Sequence, residues 1–207
     1  MPREVFRYDV PERFVAGTVG QPGQRTFFLQ ASSGGRVTSV ALEKEQVALL
    51  AERLDALLDE VSRRSGGAAP VPASAPQDHE DSAPLDTPIL EEFRVGTMTL
   101  AWEVDTETVV IEAQARTEAE ESGEETAAEQ TEDETAEDET AEVEALSDSD
   151  EGPPVLRVRM TAAMARAFAK RAQAVVAAGR PPCPFCGLPL SAEGHICPRQ
   201  NGQRPSV

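Results

Sequence analysis

Apolar positions come in short alternating runs at the start of the chain and then change period. Val5–Tyr8, Phe14–Val19, Arg25–Gln30 and Val37–Leu42 are rich in β-branched and aromatic residues. Gln21-Pro22-Gly23-Gln24 and Ser32-Ser33-Gly34-Gly35 separate the last three. Such turn chemistry between runs of that kind predicts β-hairpins. From Glu43 the spacing is helical: Val47, Leu50, Leu54, Leu57, Leu58 and Val61 recur at three and four residues and form one apolar stripe.

Between Ser65 and Pro88 the pattern stops, and Gly, Pro, Ala and Ser dominate, as in a flexible linker. Two further strands are predicted over Glu92–Trp102 and Thr108–Ala113, turning at Asp105-Thr106-Glu107. A last strand, Val155–Met160, leads into a helix from about Ala162 to Ala178, with Thr161 placed to cap its start and Gly179 to end it.

The two halves share a pattern. Phe14-Val15-Ala16-Gly17-Thr18 is matched 79 positions on by Phe93-Arg94-Val95-Gly96-Thr97. The helices align at an offset of 118, Leu50 with Phe168, Ala51 with Ala169 and Arg53 with Arg171. An insertion in the second copy, where Ser32–Gly35 makes a tight turn in the first, accounts for the difference in offset.

The expected fold is therefore α+β: duplicated βββα units with antiparallel sheets, one amphipathic helix each, and a small C-terminal zinc-binding module. A three-stranded sheet with one helix is a thin core, so the units should pack together. Residues 1–64 form the first unit with an extra N-terminal strand, and 65–88 the linker. Residues 89–178 form the second unit, interrupted by a disordered acidic insert at 117–152, and 179–207 the tail.

Charge changes this picture only locally. The chain has a formal charge of −18, but 17 of its 37 acids lie between Thr117 and Glu151, where there is no Lys or Arg. The rest carries 20 acids against 19 bases. Like charges at that density repel and keep a segment disordered. No apolar stretch follows Met1 and no run is long enough to span a membrane, so a cytoplasmic protein is expected.

All three cysteines fall near the C-terminus, in Cys183-Pro184-Phe185-Cys186-Gly187 and His195-Ile196-Cys197-Pro198. Cysteines spaced this way, with a glycine after the second, make a knuckle whose thiolates face one point. Cys183, Cys186, His195 and Cys197 supply the four soft or borderline ligands that tetrahedral zinc takes. Four protein ligands leave no position for water, so the expected role is structural. A redox pair at Cys183 and Cys186, or free reactive thiols, are the alternatives. The prolines before Cys183 and the Gly after Cys186 disfavour the helix that a thioredoxin-like pair would open.

Other chemistry is scarce. There is no phosphate-binding glycine loop, nucleophile elbow or HExxH. His79 lies in the linker and is expected to be a solvated loop residue, and Trp102 to pack in the sheet. Asp9, Glu12, Glu91 and Glu92 are carboxylates that no spacing selects as a catalytic pair. From Pro153 onward Arg157, Arg159, Arg166, Lys170, Arg171, Arg180, Arg199 and Arg204 face Glu193 alone, so a nucleic-acid surface masked by the acidic tract is an alternative.

Pro11-Glu12-Arg13-Phe14-Val15-Ala16-Gly17-Thr18-Val19-Gly20-Gln21-Pro22-Gly23-Gln24-Arg25, the Ala165–Pro182 helix and Cys183–Asn201 together resemble a conserved actinobacterial family. Its function is unassigned, and its gene tends to lie near that of the mycothiol-pathway ligase. The resemblance covers nearly all of the chain outside Ser65–Pro84 and the acidic tract. It implies the same metal ligands at Cys183, Cys186, His195 and Cys197, and offers a ParA-type chromosome-partitioning ATPase as a lead to a partner. The expectation is a cytosolic, non-enzymatic interaction or regulatory protein with a structural zinc. A nucleic-acid-associated protein or an enzyme of a thiol-related pathway stand as alternatives.

Overall fold

The computed structural model describes residues 3–21, 23–117 and 151–179, and beyond them Cys183, Phe185, Cys186, Cys197 and Arg199. Both the acidic stretch 118–150 and His195 lie outside the described residues. The elements are β1 (Val5–Asp9), β2 (Arg13–Val19), β3 (Thr26–Ser33), β4 (Arg36–Leu42), α1 (Lys44–Arg64), β5 (Glu91–Glu103), β6 (Thr108–Ala115), β7 (Val155–Thr161) and α2 (Ala162–Ala177). This is an α+β fold: all seven strands join one sheet in the order β1-β7-β6-β5-β4-β3-β2.

Two antiparallel meanders, β2-β3-β4 and β5-β6-β7, meet where β4 and β5 pair in parallel, and β1 adds in parallel to β7. Each meander is followed by its helix. Five strands laid flat from β1 to β4 would span about 19 Å. Yet Tyr8 of β1 shares a hydrogen bond of 2.8 Å with Thr38 of β4, and Arg36 lies 4.3 Å over the Tyr8 ring. The sheet is therefore strongly curled, and α2 packs on β2 at one edge as well as on β6 and β7.

One core fills the inside of the curl. Leu54 and Leu58 of α1, Leu29 and Val40 of the first meander and Ile111, Leu156 and Met160 of the second are all fully buried in it. In α2 the buried positions are mostly alanines, which bring it close to α1. Thr161 does cap α2, its side chain accepting from the Met164 amide at 3.3 Å. Phe168 of α2 stacks on Phe14 of β2, with centroids 4.6 Å apart, and ties the second run to the first. In the α1 stripe Leu57 and Val61 are only half-buried.

Residues 65–88, expected to be a flexible linker, are instead strapped to the body in their second half. Leu85 is buried with Val15, Phe28 and Ala41 on the outer face of the first meander. It lies so close to Gly17 that a Cβ there would stand 2.6 Å from the Leu85 side chain. Arg13 donates to Asp81 at 2.6 Å and to the Ala83 and Pro84 carbonyls, and Gln30 bonds Asp86 at both its N–H and its carbonyl. A composition poor in large side chains hid these few anchors. On the outer face of the second meander the buried carboxylate of Glu112 is instead paired with Arg157, and Arg159 bridges Asp9 and Glu103.

The β6–β7 connection spans the acidic stretch. Its flanks stay in register, the Ala115 amide donating to the Pro154 carbonyl at 2.8 Å, so a long segment leaves and re-enters the body at adjacent points.

Candidate metal centre

After α2 ends at Ala177, the sequence places its cysteines in a short polar stretch with no hydrophobic periodicity. The three thiols nonetheless converge. The sulfurs of Cys183, Cys186 and Cys197 all lie within 4.8 Å of one another, and this is the only group of three or more Cys, His or carboxylate ligands gathered among the described residues. Cys183 and Cys197 are each 5 % exposed, while Cys186 is half-buried.

Phe185 and Cys186 lie in a turn. Their amides hydrogen-bond the Cys183 sulfur. Burial pushes the Cys183 thiol up, but these two amides and the sulfurs of Cys186 and Cys197 outweigh it and leave the group below the ordinary thiol range. Arg199 donates to the Phe185 carbonyl at 3.1 Å and clips the Cys197 segment to the Cys183–Cys186 turn.

The geometry fits a metal better than a disulfide. Cys183 and Cys197 stand 3.9 Å apart, whereas a disulfide needs about 2.05 Å. A tetrahedral ion with metal–sulfur bonds of about 2.3 Å spaces its sulfurs by about 3.8 Å. Three converging thiols, one of which accepts two backbone amides, can hold a metal ion, and thiolate-rich sets select soft or borderline metals.

A family profile described as a protein of unknown function, DUF3090, matches residues 6–197. The chain belongs to the DUF3090 family. The match takes in the sheet but for Val5 at the start of β1, both helices and all three cysteines. No curated protein and no solved structure matches the chain.

The other sequence candidates lie elsewhere. His79 sits exposed in a 3₁₀ turn, Gln77–His79, at the mouth of a cavity of about 260 Å³ between β2 and α2. Arg13 and Arg171 both reach Asp81 there, and the Arg13 hydrogen bond holds the Asp81 carboxyl below the usual range. Sequence reasoning missed this cluster; its one signal was a run of charges, Asp78-His79-Glu80-Asp81, in an otherwise Pro- and Ala-rich segment. The carboxylates of Asp9, Glu12 and Glu91 have separate partners, Arg159, the Gly34 amide and Arg94. Trp102 packs half-buried against the core.

Proposed function

We propose that this chain is a non-enzymatic interaction protein whose C-terminal cysteines, completed by His195, hold one structural zinc ion. The observation that carries it is the convergence of the three sulfurs, with the 3.9 Å spacing of Cys183 and Cys197. Zinc bound by four protein ligands has no open position for water and so fixes a fold rather than activating a nucleophile. In a short cysteine-rich segment, metal binding supplies folding free energy directly.

The nucleic-acid alternative gains no support from the part of the basic stretch that lies in β7 and α2. Arg157, Arg159, Arg166, Lys170 and Arg171 are each bonded to a carboxylate of the body. Their charge is spent within the fold rather than on an open face. No helix is long and apolar enough to cross a membrane.

Elemental analysis tests the reading. Protein prepared with zinc present should carry one ion per chain, and Cys183→Ser should lose it while the thermal transition of the sheet barely moves. A chain prepared the same way that holds no zinc would return Cys183 and Cys186 to the status of redox thiols.

A further inference from the structure

Each helix leaves a groove against a strand of the other run, and the two grooves are filled differently. Between α2 and β2 the helix rests directly on the strand through Phe168 and Phe14. Residues 78–81 close over what remains, and Arg171 donates to the Ala16 carbonyl on the outermost strand at 2.8 Å. Between α1 and β5 the space is about 1010 Å³. Leu57 and Val61 line it half-buried, opposite Met98, Leu100 and Trp102. At its ends Leu49 and Val104 are 46 % and 76 % exposed.

The strand beside this groove is bare along half its length. β4 ends at Leu42 and pairs with β5 only through Glu91 and Arg94, after which α1 takes its place. Gln46 closes the first gap by donating to the carbonyls of Val95 and Gly96. From Thr97 to Glu103 the side of β5 turned away from β6 has no backbone partner among the described residues. Monomeric proteins guard such edges with lysine, proline, inward charges or a covering segment. Thr97-Met98-Thr99-Leu100-Ala101-Trp102 has none of these residues, and the strap that covers the first meander has no counterpart here among the described residues.

We propose that this face joins two copies of the chain, β5 edge to β5 edge in antiparallel fashion, with α1 of each copy covering the groove of the other. A bare strand edge needs a partner that presents backbone groups, which selects a polypeptide. A two-fold pairing uses each edge once and leaves none open. The charges fit a copy of the same chain: the groove carries Arg53 and Arg64 against Glu60 and Glu107, two of each sign, so a strongly acidic or basic partner gains nothing there. Arg53 and Glu107 make no ion pair among the described residues, leaving one cation and one anion on each copy for the other. By helix rise and strand length the face is about 24 Å long, and at about 20 Å wide it buries roughly 1,000 Å² in all, the floor for a specific interface. A dimer in the micromolar range is therefore expected. It does not depend on the metal site.

Sedimentation of the full chain from about 1 to 300 µM tests this. The mass should rise with concentration from 22.2 kDa towards twice that value, and chelator should not change the curve. Leu49→Glu and Val104→Glu alter exposed side chains on the two walls of the groove, so the fold is kept; each should weaken dimerisation at least about tenfold. Val10→Glu, at a position 50 % exposed outside the groove, should leave it unchanged. A chain that stays monomeric throughout overturns the proposal and leaves the groove to an extended segment of a different protein. A dimer indifferent to both groove variants overturns it equally, because its interface then lies elsewhere.

Discussion

The two βββα runs build the same meander and helix but bury the outer faces of their strands by opposite means. The first covers Val15, Phe28 and Ala41 with its own downstream chain, Leu85 seated against Gly17 and held by Arg13 through Asp81. The second has no covering segment among the described residues, and its outer face carries the Glu112–Arg157 pair and the Asp9–Arg159–Glu103 bridge. An apolar outer face needs a cover because exposed carbon is costly in water. A charged row needs no apolar cover, and even a buried member such as Glu112 is tolerated, provided each charge has a partner. The lesson is that one topology accepts either solution, and that the covering strap, not the meander, makes the first run specific.

That contrast can be broken at several points. The largest effect belongs to what the runs share. Phe168→Ala removes the ring that joins α2 to β2 in the common core and should cost about 3–5 kcal/mol in urea unfolding, with both runs lost in one transition. Two separate transitions would show that the runs are independent.

On the second run, Glu112→Leu removes the buried carboxylate that Arg157 pairs with and should cost about 3 kcal/mol, while adding Arg157→Leu should restore most of it. If the double variant is no better than the single, the pair contributes more than mutual neutralisation.

On the first run, Gly17→Ala places a methyl group against Leu85 and should cost about 1 kcal/mol, with cleavage within residues 65–88 increased. Leu85→Ala makes room, so in that background Gly17→Ala should have almost no further effect. Equal costs in both backgrounds would mean that the strap is not what Gly17 accommodates.

The smallest effect is acid loosening of the strap. Arg13 lowers the Asp81 carboxyl below its unfolded value. The corresponding stability is thus present above the ordinary carboxylate range and is lost as pH falls through the lowered value. Cleavage within residues 65–88 by an acid-active protease, referenced to an unfolded peptide of the same sequence, should rise as pH falls below the ordinary carboxylate range of about 4. Asp81→Asn should cleave readily above and below that range, without the rise.

Much of this molecule was legible in its sequence. The strand and helix boundaries follow from periodicity and from turn residues such as Gly34-Gly35, because those signals are local. The cysteine cluster was legible for the same reason: thiols three residues apart, and a third nearby, have few places to go except one point. His195, the ligand read from sequence as the fourth, lies outside the described residues. The strap was not legible, since its anchors, Asp81, Leu85 and Asp86, acquire meaning only beside Arg13 and Gly17, dozens of positions away. Nor was the fate of the α1 stripe. Periodicity marks Leu57 and Val61 as apolar positions that need cover, but it does not say what covers them. Only the early end of β4, which leaves half of β5 unpaired beside the helix, decided that they face a groove. Local interactions written into the sequence set the elements, the Thr161 cap of α2 and the turn that holds Cys183 and Cys186. The tertiary structure decided the single curled sheet, the two ways of burying its outer face and the open α1–β5 groove, because each depends on which distant surfaces the curl brings together.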